Sequence, residues 1–180
     1  MRDTLTVPTS VITGFLGAGK STAILHLLEH KAADEKWAVL VNEFGEVGID
    51  GGLLRGQGGE ERGVFVQEVP GGCMCCAAGL PMQIALAMLL AERPLDRLLI
   101  EPTGLGHPRE VLDLLSAEQY EGVLDLRATL TLVDARAVRA GRYTEHPTFL
   151  QQLAVADVLV ANKADLCEED DLVALRGFLA

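Results

Sequence analysis

The stretch Gly14-Phe-Leu-Gly-Ala-Gly-Lys-Ser21 matches the pattern G-x-x-x-x-G-K-[ST] and follows the apolar pair Val11-Ile12 after one residue. A helical pattern begins near Lys20. In a strand, turn and helix of this kind, the turn aims its backbone N–H groups at phosphate oxygens, and the helix N-terminus adds partial positive charge. The pattern therefore predicts a phosphate-binding loop. It argues against a Rossmann dinucleotide loop, which has no use for the Lys-Ser pair.

Individual roles follow from the chemistry of these side chains. Lys20 is predicted to reach the β and γ phosphates, Ser21 to ligate magnesium, and Thr22 to touch the α phosphate. The remaining predicted phosphate contacts come from the loop backbone at Gly14, Gly17, Ala18 and Gly19.

Short apolar or β-branched runs alternate with longer helical patterns along the rest of the chain. Continuously apolar strands separated by helices are typical of a parallel sheet covered on both faces. The fold class is therefore predicted to be α/β, specifically a P-loop NTPase with a mostly parallel sheet and helices on both faces. Strands are predicted at 6–13, 38–42, 64–69, 98–100, 128–133 and 158–161, and helices at 20–33, 80–91, 108–115 and 148–156.

A base-reading motif, Asn162-Lys-Ala-Asp165, follows the last of these strands. Asp165 can accept hydrogen bonds from both the N1–H and the exocyclic amine of guanine, whereas adenine offers neither donor there. A site that leaves a buried polar group unpaired with the wrong ligand can reject that ligand by a factor of about 10⁴. GTP is therefore predicted over ATP, with Asn162, Lys163 and Asp165 as nucleotide-binding residues.

The stretch Leu98-Leu-Ile-Glu-Pro-Thr-Gly104 places an acid at the end of an apolar strand and a glycine three residues later. Glu101 is predicted to hold magnesium, and its extra methylene relative to Asp favours contact through water. The Gly104 N–H is predicted to sense the γ phosphate. With Lys20 and Ser21, these residues form the predicted catalytic set. No general base is evident, and the water could be positioned by Glu43, Glu46 or a group from a dimer partner.

Three of the four cysteines lie in Pro70-Gly-Gly-Cys-Met-Cys-Cys76. Thiolates suit zinc and Cu(I), but zinc takes four ligands, so three cysteines leave one position for Glu46, His107 or water. A redox pair and buried structural thiols are the alternatives. In a reducing cytosol, clustered cysteines favour metal binding or thiol chemistry over structural disulfides.

Composition excludes several classes of protein. The 180 residues carry a net charge of −11, which argues against nucleic acid as a partner. The longest apolar run, 84–91, is less than half of the roughly 20 residues that span a bilayer, and the N-terminus has no apolar signal region. A cytoplasmic protein with no membrane segment is therefore expected.

His26-Leu-Leu-Glu-His30 matches the zinc-peptidase pattern H-x-x-E-H. This helix already presents the phosphate loop, so Leu25, Leu27 and Leu28 are expected to face the sheet. The two histidines are then expected to face solvent.

Five motifs in order make the chain resemble the CobW-type family of metal-homeostasis GTPases, and in particular its zinc-binding or zinc-chaperone subgroup. They are Gly14-Phe-Leu-Gly-Ala-Gly-Lys-Ser-Thr22, Asn42-Glu-Phe-Gly-Glu-Val-Gly-Ile-Asp50, Gly71-Gly-Cys-Met-Cys-Cys76, Glu101-Pro-Thr-Gly-Leu-Gly-His-Pro108 and Asn162-Lys-Ala-Asp165.

The resemblance implies a GTPase that binds GTP and magnesium, hydrolyses GTP slowly and couples nucleotide state to zinc binding or to zinc delivery to a client metalloprotein. It implies zinc ligands at Cys73, Cys75, Cys76 and Glu46. The chain departs from some relatives at Val41, where they carry an acid. A homodimer is a further expectation. Alternatives are a non-catalytic metal-binding or storage module and a nickel or cobalt insertion GTPase.

The resemblance also bears on domain organisation. It implies that residues 1–180 form one GTPase domain that is incomplete at its C-terminus, with Ala180 inside the helix expected after the base-reading motif, and that the C-terminal domain of the family is absent from this chain.

Overall fold

The described part of the chain forms a seven-stranded sheet in which every pair of neighbouring strands is parallel. A computed structural model describes residues 6–41, 59, 61–69, 79–92 and 94–180. The strands are β1 (Val7–Gly14), β2 (Trp37–Val41), β3 (Val64–Glu68), β4 (Arg97–Glu101), β5 (Leu124–Leu126), β6 (Leu130–Asp134) and β7 (Val158–Asn162).

The strand order is β3-β2-β4-β1-β6-β7, and β5 also pairs with β1. Strand β5 lies along Val7–Thr9 of β1, and β6 lies along Ile12–Gly14, so the two short strands occupy the same edge of β1 one after the other. Because all strands are parallel, their carboxyl ends meet at one edge of the sheet. The phosphate loop begins at that edge, beside the ends of β4, β6 and β7.

Six α-helices have both of their ends within the described part of the chain. They are α1 (Lys20–Glu29), α2 (Leu80–Glu92), α3 (Pro108–Leu115), α4 (Ala135–Arg139), α5 (Pro147–Ala154) and α6 (Glu169–Leu179), and short 3₁₀ turns lie at Glu118–Tyr120 and Ala164–Leu166.

Alternating strand residues bury into two separate cores. Leu98 and Ile100 of β4 pack with Met82 and Leu86 of α2, while Leu99 between them packs with α1 on the opposite face. Both faces are therefore apolar, which is why the strands read as continuous hydrophobic runs. A third cluster, around Phe15, Val133 and Phe149, packs α5 and α6 against the sheet.

The predicted α/β class and parallel sheet are confirmed, and α3 has the predicted bounds. Strand β5 and helix α4 were not predicted, because a strand of three residues and a helix of less than two turns are too short to show a periodic pattern. Helix α1 ends at Glu29 rather than at residue 33, since the His30 N–H bonds the Leu27 carbonyl and closes a tight last turn.

Leu28 of α1 is buried as expected, but Leu27 is 40% exposed, so the expectation that Leu27 faces the sheet was wrong. Among the described residues, no helix has both the length and the apolar character needed to cross a bilayer.

Candidate functional site

The phosphate loop joins β1 to α1 through a backbone that needs glycine. Gly19 lies just before α1 with φ of 93°, a left-handed conformation that residues with a Cβ rarely adopt. The Ala18 N–H bonds the Phe15 carbonyl at 3.1 Å and tightens the turn. Phe15 itself is buried against the rings of Tyr143 and Phe149, so the loop is anchored in the core.

Lys20, Ser21 and Glu101 come together at the start of α1. The Ser21 hydroxyl donates to the Glu101 carboxylate at 2.8 Å, although the two residues are 80 positions apart, and Lys20 is buried beside them. Burial raises the pKa of the Glu101 carboxyl above its ordinary value, while the bond from Ser21 and the charge of Lys20 act in the opposite direction. Thr22, the next residue, is exposed.

The Ser21 hydroxyl and the Glu101 carboxylate are hard oxygen ligands of the kind that Mg²⁺ prefers. A serine hydroxyl and a half-buried carboxylate 2.8 Å apart can hold one ion directly or through its waters. The residues present therefore fit the predicted magnesium site, and Lys20 supplies positive charge at the same end of the helix.

Gly104 lies against the phosphate loop. A Cβ at Gly104 would come within 2.8 Å of the Leu16 side chain and 3.0 Å of the Leu16 backbone nitrogen. The Gly104 carbonyl accepts a hydrogen bond at 3.0 Å from Gln152, whose side chain is fully buried in α5. The segment after β4 is thus held against the phosphate loop on one side and tied to α5 on the other.

The base-reading motif contacts the phosphate loop directly. The Asn162 side-chain amide donates to the Ala18 carbonyl at 2.8 Å, across a sequence separation of 144 residues. A Cβ at Gly19 would lie 2.4 Å from the same amide nitrogen, so Gly19 also permits this approach. Asp165 follows β7 in a 3₁₀ turn and is exposed, so its carboxylate is accessible to a base but is not buried by the protein, contrary to the expectation of a buried polar group.

Asp134 is a site residue that the sequence reasoning missed. Lys163 adopts φ of 58°, and its ammonium bonds Asp134 at 3.2 Å. Asp134 also accepts from the Arg136 side chain at 2.9 and 2.7 Å. The hydrogen bond from Arg136 is the largest effect that lowers the pKa of the Asp134 carboxyl, to about 2. The signal was present, because Asp134 ends an apolar strand just as Glu101 does.

Gln152 was missed as well. It lies within the apolar helix α5, and no spacing or motif in the sequence distinguishes it from the exposed polar residues of other helices.

The predicted zinc ligands Cys73, Cys75, Cys76 and Glu46, and the candidate water-positioning residue Glu43, lie outside the described residues. Strand β3, which precedes the cysteines, is the last strand of the sheet within the described residues and lies three strand spacings, or about 14 Å, from β1. His107, the other candidate fourth ligand, pairs through Nδ1 with the Gln151 side chain at 3.1 Å.

Comparisons with known proteins agree with this geometry. Residues 8–177 match the model of the CobW/HypB/UreG family nucleotide-binding domain. The chain is 56% identical over 168 residues to the zinc chaperone YeiR of Escherichia coli (strain K12), covering 93% of this chain and 50% of that protein. It is 34% identical over 206 residues to the zinc chaperone CobW of Pseudomonas aeruginosa, covering 100% of this chain and 55% of that protein.

A solved structure, that of the Zn(II)-bound YjiA GTPase from E. coli, superposes with a TM-score of 0.67 at 25% identity, covering 96% of this chain and 54% of that one. The chain spans about half the length of the curated relatives it matches. On the match over residues 8–177, the chain belongs to the CobW/HypB/UreG family and contains its nucleotide-binding domain.

Proposed function

We propose that this chain is the GTP-binding and GTP-hydrolysing part of a zinc metallochaperone, in which nucleotide state controls the binding of zinc and its delivery to a client metalloprotein. The hydrogen bond from Asn162 to the Ala18 carbonyl carries the proposal, because it joins the base-reading motif to the phosphate loop. A single nucleotide can then touch both motifs. The names of the relatives YeiR and CobW, both zinc chaperones, support zinc as the cargo.

In this proposal, the phosphate loop holds the triphosphate through its backbone N–H groups and the Lys20 ammonium. Magnesium, when bound, neutralises charge on the β and γ phosphates. Ser21 and Glu101, already 2.8 Å apart, would hold that ion. Asp165 accepts the two guanine donors, and Asp134 holds Lys163 beside the base site.

Gly104 connects the nucleotide to the rest of the protein. Its segment contacts the phosphate loop at Leu16 and is hydrogen-bonded to Gln152 of α5. A movement of this segment at the γ phosphate would therefore alter both contacts. Zinc bound by Cys73, Cys75, Cys76 and Glu46 is proposed as the second half of this coupling.

Phosphate release from GTP and from ATP tests the enzymatic half, measured with magnesium and with or without zinc. We expect GTP to be hydrolysed faster than ATP, and Lys20→Ala and Ser21→Ala each to lose most of that activity. Circular dichroism establishes that the variants are folded. Turnover by the intact chain no faster than by folded Lys20→Ala would overturn the hydrolytic function and favour a non-catalytic metal-binding module.

Metal analysis tests the zinc half. The variant Cys73→Ser/Cys75→Ser/Cys76→Ser should lose tightly bound zinc, whereas the matched control Cys167→Ser should retain it, because Cys167 lies past the base-reading motif and bonds the Lys163 carbonyl. Competition among zinc, nickel and cobalt completes the test. Tighter binding of nickel or cobalt than of zinc would contradict the proposed cargo.

A further inference from the structure

A group of metal-ligating side chains lies at the end of α1 opposite the phosphate loop. Among the described residues, His26, Glu29 and His30 are the group whose ligand atoms come close enough to hold one ion, all within 4.8 Å of one another. The spacing i, i+3, i+4 places all three on one face of the helix. All three are exposed, so small rotations of their side chains can bring the ligand atoms to zinc distances of about 2.0–2.2 Å.

The His30 ring makes a backbone contact of the kind that metal-ligating histidines commonly make. Its Nδ1 lies 2.8 Å from the His26 carbonyl oxygen, and a carbonyl can only accept, so Nδ1 carries the proton. In a neutral ring, Nε2 then has a free lone pair. Metal-ligating histidines commonly donate their second ring N–H to a backbone carbonyl in this way, which fixes the ring orientation and raises the basicity of the ligand.

The His26 ring lies beside the His30 ring, with centroids 4.1 Å apart. Two imidazoles at i and i+4 of a helix can reach the same ion, and imidazole nitrogen suits zinc better than it suits magnesium or calcium. Two histidines and one glutamate form a ligand set that binds zinc in known sites and leaves further coordination positions open.

The electrostatics of this helix end favour a cation. His30 caps the C-terminus of α1, where the helix dipole concentrates partial negative charge. Glu29 adds a full negative charge, and in the described part of the structure its carboxylate has no hydrogen-bond or ion-pair partner. The neighbouring Lys31 ammonium is bonded to the carbonyls of Ala32 and Glu35.

We propose that His26, Glu29 and His30 form a surface zinc-binding site that is separate from the cysteine motif. With three protein ligands on an exposed helix face, the remaining positions are open to water or to a ligand from another molecule, so zinc bound there exchanges readily. His26 and His30 follow Lys20 by six and ten residues, which correspond to about 9 and 15 Å along the helix axis, so the site lies away from the phosphate loop. The inference does not depend on GTP hydrolysis.

Imidazole ¹⁵N NMR during a zinc titration of the whole chain tests the proposal residue by residue. We expect zinc to shift the Nε2 signals of His26 and His30 and to leave those of His146 unchanged. His146 is the internal control because its Nδ1 accepts the Thr148 N–H at the start of α5. Magnesium at the same concentration should shift neither signal of the pair.

Substitutions give a second readout that does not need the NMR assignment. Equilibrium dialysis in the Cys73→Ser/Cys75→Ser/Cys76→Ser background should yield a zinc affinity that falls about tenfold or more with His30→Ala or His26→Ala, and less with Glu29→Gln. Glu110→Gln, an exposed change on α3, is the matched control and should leave the affinity unchanged.

Because the three side chains are exposed and distant from the nucleotide site, the histidine variants should keep their thermal stability and their GTP turnover. The proposal is overturned if zinc leaves both His26 and His30 signals unshifted in the intact chain. It is overturned equally if His26→Ala/His30→Ala binds zinc as tightly as the background does.

Discussion

At the residue scale, two Asp-x-Arg pairs follow the same local pattern but lie in different surroundings. Asp134 is buried, and Arg136 and Lys163 hold its carboxylate. Asp125 pairs with Arg127 on the surface. Exposed ion pairs contribute little to stability, whereas a buried carboxylate depends on its partners. The Asp-x-Arg pattern is therefore expected to contribute to the free energy of unfolding at Asp134 and to contribute little at Asp125.

We expect Asp134→Asn to lower the free energy of unfolding by about 1 kcal/mol at pH 7, because Arg136 and Lys163 lose the carboxylate that they pair with. The folded-state pKa of Asp134 is lowered from 3.8 to about 2, so its contribution is fully present above pH 4 and is lost as the pH falls towards 2. Urea unfolding at several pH values measures the difference between wild type and variant. Asp125→Asn is the matched control, and an equal loss in both variants would contradict the expectation.

Gly104 offers a second test at this scale. Gly104→Ala places a Cβ 2.8 Å from the Leu16 side chain and 3.0 Å from its backbone nitrogen, so the phosphate loop must shift. We expect a loss of about 1–3 kcal/mol of stability and weaker GTP binding, measured by urea unfolding and nucleotide titration. Gly177→Ala, in α6 with nothing within 4 Å, should instead stabilise the chain by about 0.5–1 kcal/mol. Unchanged GTP affinity in Gly104→Ala would contradict the expectation that the contact between Gly104 and Leu16 positions the phosphate loop for GTP.

At the scale of elements, α5 acts as the support for the segment after β4. The Thr131 hydroxyl of β6 donates to the Gln152 carbonyl at 2.9 Å, and the Gln152 side chain in turn donates to Gly104. Helix α5 is therefore fixed to the sheet on one side and holds the segment after β4 on the other. Helix α6 is fixed in a similar way, because Arg139 of α4 bonds the buried Asp171 at 3.2 Å.

Gln152→Ala should lower the free energy of unfolding by about 1–3 kcal/mol, because the variant creates a small cavity and leaves the Gly104 carbonyl without its buried donor. We also expect faster amide hydrogen exchange after β4, near Gly104. Gln119→Ala, at an exposed position in a 3₁₀ turn, is the control and should change neither quantity. Equal stabilities of the two variants would show that α5 does not support this segment.

At the scale of the whole molecule, the nucleotide site is assembled from segments that are far apart in the chain. The phosphate loop, the end of β4, the end of β6 and the motif after β7 meet only because parallel strands bring their carboxyl ends to one edge. A ligand that touches all of these segments binds the folded state alone and therefore stabilises it by mass action.

GTP with magnesium should raise the melting temperature of the chain, and at 100-fold above its Kd the added stability is about 2.7 kcal/mol. ATP should raise it much less, because adenine cannot satisfy Asp165. Differential scanning fluorimetry measures both shifts. Asp165→Asn should melt like the wild type without nucleotide, since Asp165 is exposed, but should lose most of the shift with GTP. Equal shifts with GTP and ATP in the wild type would contradict the assignment of the base motif.

The parallel sheet, the phosphate loop and the positions of Glu101 and Asp165 could all be predicted from the chain, because each depends on a local pattern: an apolar run, a glycine spacing or an acid at a strand end. The bond from Asn162 to Ala18 spans 144 positions and the bond from Ser21 to Glu101 spans 80, and no local pattern encodes either one. The role of Asp134 beside Lys163, the support of Gly104 by Gln152 and the orientation of the His30 ring likewise depend on which groups packing leaves within hydrogen-bond distance. Motifs specify which chemical groups are available, and the strand order and helix packing specify which of those groups meet.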